Sequence, residues 1–89
     1  MPAHIAHLIV DGVVLGRQYP EVHKYMDSMQ PYMQSNHRLY LHDMATVAEI
    51  AAIDEGAGWS AYLHLALDNI SDMVGQEKSV PVLLGMLQR

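Results

Sequence analysis

His23 and Asp27 lie four residues apart, as do His64 and Asp68, and between them runs Asn36-His37-Arg38-Leu39-Tyr40-Leu41-His42-Asp43. A four-residue spacing puts both side chains on one face of a helix, one turn apart. Histidine is the commonest side chain for binding a metal or moving a proton near neutral pH. Six of them in 89 residues are therefore the place to look for chemistry. Two His-x-x-x-Asp pairs on helices that pack together could converge on one ion. His37 and His42 are five residues apart, about 140° around a helix, so one of them and not both can serve such a site. His42 is the choice, because its face also carries Glu49 and roughly Arg38, whereas His37 sits on the apolar side. The candidate ligands are His23, His42, His64 and Asp68. Asp27, His37, Arg38, Asp43 and Glu49 are the candidates for an outer layer or for holding a ligand.

Imidazole and carboxylate donors suit Zn, Ni, Fe or Mn better than Ca or Mg. An aspartate one turn from a histidine could instead hold the second ring nitrogen and fix its tautomer. An open coordination position would activate water for hydrolysis. Two plainer readings stay open beside the metal. One is an unliganded polar network; the other is a set of surface pairs, each worth under about 1 kcal/mol. His4 and His7 read as solvent-facing groups of a flexible N-terminus. Met26, Met29, Met33, Met44 and Met73 read as core filler or as an adaptable contact surface. The chain has no nucleophile elbow, phosphate loop, paired-cysteine site or HExxH helix. No nucleotide cofactor motif is present, and no enzyme class is indicated.

These residues need helices to position them. Residues 3–16 fit a helical stripe through Ile5, Leu8, Ile9 and Val13, and also a hairpin turning at Asp11-Gly12. Helix is preferred, since a lone hairpin needs something to pack on. Pro20 and Glu21 suit the start of a second helix, with Val22, Tyr25, Met26 and Met29 on one face. A third is expected from Ser35 or Asn36 to about Ile53. Its Tyr40, Met44, Val47, Ala48 and Ala51 share one apolar face, with a second apolar side through Leu39, Ile50 and Ile53. Asp54-Glu55-Gly56-Ala57-Gly58 reads as a loop. Ser60 caps a fourth helix to Val74, with Gly75 as its stop. Trp59, Leu63, Ala66, Ile70 and Met73 face the core there, with His64, Asp68 and Ser71 as a polar shoulder. Ser79-Val80-Pro81 opens a short last helix. The expected fold is all-α, a compact bundle of four to five helices with an N-terminal hairpin as the variant, in a single domain over 1–89.

Composition narrows the function classes. There is no cysteine, hence no disulfide and no zinc–thiolate site, which points to a reducing cytoplasm. Net charge is −5, and the five basic residues Arg17, Lys24, Arg38, Lys78 and Arg89 form no run. That argues against general nucleic-acid binding but leaves room for one small anion. No apolar run is long enough for a bilayer span, and Met1-Pro2-Ala3-His4 lacks the basic start of a secretory signal. An apolar fraction of 51% in so small a chain favours a homo-oligomer.

The chain resembles a family of small bacterial and phage proteins catalogued as a domain of unknown function. The matching residues, in order, are His4, Gly16, His23 and Asp27, His37-Arg38 and His42, Gly56, His64 and Asp68, and Pro81. This chain departs from the family in having His42-Asp43 where a double histidine is more usual, and in a longer connection from Gly75 to Pro81. The resemblance implies a compact helical domain with a polar histidine cluster. The order His23, His42-Asp43, His64, Asp68 is also similar to the HD-domain phosphohydrolases. That resemblance implies divalent metal and cleavage of phosphate esters.

Three functions follow as expectations. The first is a self-associating cytoplasmic protein whose histidine cluster binds a divalent transition metal or a small polar ligand. The second is a non-enzymatic phage or mobile-element accessory protein of anti-defence type, which binds a host protein or sequesters a small anionic signal. The third is an HD-like phosphohydrolase.

Overall fold

A computed structural model describes residues 4–28 and 43–88. Five helices are found among them: α1 (His4–Leu15), α2 (Pro20–Met26), α3 (Met44–Ile53), α4 (Glu55–Val74) and α5 (Gln76–Leu87). There is no strand among the described residues, so the all-α bundle is the fold. Helix α4 is its hub. It packs against each of the other four, while α1 also touches α2 and α5.

The N-terminal segment is helix and not hairpin. Asp11, which a hairpin would spend on a turn, is wholly buried. Its Oδ2 accepts the backbone N–H of Tyr19 at 2.9 Å, and its Oδ1 accepts the Ser60 hydroxyl at 2.9 Å. Those bonds draw the start of α2 and the first half of α4 onto α1. Gly16, at φ 74°, turns the chain between α1 and α2.

Helix α4 starts six residues before the sequence suggests, capped at Asp54 and not at Ser60. Asp54 is the reason, since it ends α3 and its side chain caps α4 by accepting the Ala57 N–H at 3.3 Å. Gly58, expected in a loop, sits inside α4 because the helix backbones nearly touch there. A Cβ at Gly58 would stand 2.7 Å from the Ala51 Cα. The buried stripe of α4 also differs from the apolar reading. It runs through Ala57, Ala61, His64, Leu67, Asp68 and Ser71, whereas Trp59 is 55% and Met73 81% exposed. The polar shoulder is the true inner face, because His64 and Asp68 there meet His7, His23 and Asp27 from α1 and α2. Leu63 is buried as expected.

Helix α5 begins at Gln76, so Pro81 lies within it and not at its start. Ser79, wholly buried, closes its first turn by donating to the Gln76 carbonyl at 2.9 Å. The apolar core falls in two clusters beside the buried polar groups. Tyr19, Val22, Met26, Val47, Ala57 and Ala61 form one; Val10, Leu63, Leu67 and Leu83 form the other. No described helix is long and apolar enough to cross a membrane.

Candidate metal centre

Helices α1, α2 and α4 each carry a His-x-x-x-Asp pair: His7 with Asp11, His23 with Asp27, and His64 with Asp68. Asp27 is the C-cap residue of α2. The three imidazoles converge. His7, His23 and His64 are each 1% exposed or less. Each offers one ring nitrogen, and these nitrogens all lie within 4.8 Å of one another.

The carboxylates serve the rings in a cycle. Asp11 of α1 reaches His23 of α2, with Oδ2 2.7 Å from Nε2. Asp27 of α2 reaches His64 of α4, with Oδ1 3.4 Å from Nε2. Asp68 of α4 reaches His7 of α1, with Oδ1 3.4 Å from Nε2. Each helix thus lends its aspartate to the next helix's histidine. His64–Asp68 adds a contact within one helix, at 3.5 Å.

Tautomers follow from this cycle. Burial alone would raise the Asp11 carboxyl. Its hydrogen bonds to His23, the Tyr19 N–H and Ser60, with the charge of His23, outweigh burial and hold it below the usual range. Asp11 is therefore an acceptor, and His23 carries a proton on Nε2. In the neutral ring the lone pair is then on Nδ1. A proton on His64 Nε2 would likewise face Asp27 and Asp68, and would leave the lone pair of the neutral ring on Nδ1. These two Nδ1 atoms are 2.9 Å apart. That is close to the least separation that rings with centroids 5.1 Å apart can reach, and the planes differ by 18°. The rings therefore meet nitrogen to nitrogen.

His7 lies flat on His64, with centroids 3.8 Å apart and planes at 10°. Among the described residues its Nδ1 has no hydrogen-bond partner, and its Nε2 meets Asp68 at ion-pair distance without hydrogen-bond alignment. Burial pulls His64 down to about 4, and the neighbouring His7 adds to this against the opposing pull of Asp27 and Asp68. A neutral His64 is a ligand or a proton acceptor. The exposed His4 ring stands edge-on to His23, 6.0 Å between centroids.

Of the candidates from sequence, His23 and His64 meet in this cluster, with Asp68 and Asp27 beside them. His42, His37 and Arg38 fall outside the described residues. Asp43 caps α3 by accepting the Thr46 N–H at 2.8 Å. Glu49 is exposed and lines a cleft of about 500 Å³ with Tyr25, Ile50 and Ile53. His7 was expected in solvent but is buried, because α1 is helix and turns it inward. His7 and Asp11 were missed as site residues, although their spacing repeats that of the other two pairs. Comparison with family models, with curated proteins and with solved structures finds no match to this chain.

Proposed function

We propose that the chain is a small metal-binding protein whose His7, His23 and His64 hold one divalent transition ion. The observation that carries this reading is the head-on approach of the two Nδ1 atoms at 2.9 Å. Two lone pairs so placed repel unless something positive lies with them. With metal–nitrogen bonds near 2.0–2.1 Å, two ligands of one ion sit about 2.9–3.4 Å apart, so the observed spacing is that of two ligands of one ion, once each ring turns by roughly 35–45° to aim its lone pair off the line between them. Three further facts support it. His7 has a buried nitrogen without a partner, an arrangement that costs about 1–3 kcal/mol if nothing fills it. Three aspartates surround three imidazoles, and a dication offsets their charge. Each carboxylate stands on the outer nitrogen of a ring, as partners of metal-bound histidines do.

A three-nitrogen set favours Zn, with Ni, Fe and Mn as alternatives. The rings are sealed from solvent, which suits an ion that holds the helices together better than one that turns over substrate. Metal analysis of tag-free protein, followed by Zn titration, tests this. One ion per chain is expected, with binding that weakens as pH falls and protons compete for the ring nitrogens. Absence of stoichiometric metal after titration sinks the reading.

A second reading, an interaction module that self-associates, has its own observation. Asp11 is the one acidic residue of α1, which has no Lys or Arg, and Asp11 is buried. The outer face of α1 therefore exposes Ile5 (65%), Ile9 (44%) and Val13 (59%) at four-residue spacing, with no acidic, Lys or Arg side chain among them. An uncharged stripe can meet its own copy without repulsion, despite a net charge of −5. Sedimentation showing a strict monomer at micromolar concentration removes this reading.

A further inference from the structure

We infer that His4 is the port of the buried centre, a transit ligand that takes an ion from solvent and hands it to His23. The inference rests on the metal reading above. His4, His7 and Asp11 follow one another at spacings of three and four on α1 and so form a column along one face. The lower two members are buried, while His4 is exposed. It is the one exposed imidazole among the described residues that touches the cluster, and it does so edge-on at His23, 6.0 Å between ring centres. The other three rings are closed to solvent, so a centre built from them needs a way in.

The geometry separates transit from resting coordination. His7, His23 and His64 are the histidines whose nitrogens fall within 4.8 Å of each other, and His4 is not among them. It is the first described residue of α1, and its side chain makes no hydrogen bond among the described residues. A ring in that position can take an ion outside and release it inward as His23 replaces it. His4 then changes how fast the ion moves and leaves its resting affinity almost untouched.

The test uses full-length tag-free protein and Zn alone. Uptake is followed by stopped flow, and release by transfer to an excess of a coloured chelator, for wild type, His4→Ala and His4→Lys. Circular dichroism checks helicity, which an exposed position should keep. His4→Ala should slow both uptake and release about tenfold and leave Kd within about threefold. His4→Lys should slow uptake at least as much, since it puts a fixed positive charge at the port. Wild-type rates in both variants overturn the port while the metal reading stands. Faster release with a Kd weakened tenfold or more also overturns it, because His4 would then be a resting ligand. A wild type that binds no Zn removes both.

Discussion

The Nδ1 atoms of His23 and His64 face each other at 2.9 Å, each ring held from behind by aspartate. Asp11 holds His23 from α1, and Asp27 with Asp68 holds His64. The pair is poised to share one positive species. A proton is one such species, though burial of His64 disfavours it, and a metal ion is the other, with His7 as a third donor. Which of them is resident decides how the protein responds to chelators, to acid and to changes in the carboxylates.

Loading with Zn should raise thermal stability. An ion that binds only the folded chain adds about 2.7 kcal/mol at a hundredfold excess over Kd. For a domain of this size that is a rise of roughly 10–20 °C in Tm. Melts with added Zn and with EDTA measure it directly. Identical curves contradict an ion held by the folded state.

Asp11→Asn keeps the shape of the side chain and removes its charge. The amide cannot accept together from Tyr19, Ser60 and His23, and it no longer fixes the His23 proton on Nε2. Leaving a buried donor without its acceptor costs about 1–3 kcal/mol. Loss of an outer carboxylate typically weakens metal affinity about 10–100-fold. Urea unfolding in EDTA reads the first effect and competitive Zn titration the second. A variant as stable as wild type would show that Asp11 does not hold the cluster.

Acid should weaken the metal-free protein through His64. Its folded pKa, about 4, lies below the ordinary 6.5. Between those values the unfolded chain binds the proton more readily, so stability falls as pH drops through this window and levels off below it. The loss from this one group is up to about 3 kcal/mol. Asp11, also held low, adds its own loss only below its ordinary value of 3.8. Urea midpoints from pH 7.5 to 4.5 in EDTA, compared with His64→Gln, isolate the histidine. An equal slope in the two proteins would assign the effect elsewhere.

Two glycine replacements should act with opposite sign. Gly58→Ala gains about 1 kcal/mol of helix propensity but drives a methyl into the Ala51 backbone, 2.7 Å from its Cα. Backbone cannot step aside as a flexible side chain can, so the clash wins, at a net cost of about 1–3 kcal/mol. Gly85→Ala, inside α5 with nothing within 4 Å of the new methyl, should stabilise by up to about 1 kcal/mol. Chemical denaturation of both against wild type checks the pair.

Helical spacing alone was enough to single out His23, Asp27, His64 and Asp68, because residues four apart share a face whatever the tertiary packing. His7 and Asp11 carry the same spacing and could have been found by it. They were lost in the ambiguity between a helix and an Asp-Gly hairpin, which local sequence does not resolve. The face of α4 was misjudged for a related reason. A stripe through Trp59 and Met73 is the more apolar, but His64 and Asp68 face inward because α1 and α2 bring polar groups to meet them.

By itself, then, the amino-acid order pointed to a helical bundle and placed a histidine and an aspartate one turn apart on the segments of α2 and α4. Local backbone geometry is enough for that. Only the tertiary structure decided that each aspartate serves the next helix's ring and that three imidazoles share one sealed centre. Those contacts join residues 12, 37 and 61 positions apart along the chain, namely Asp11 with His23, Asp27 with His64, and His7 with Asp68. They depend on how α1, α2 and α4 cross, and no periodicity within one helix encodes that.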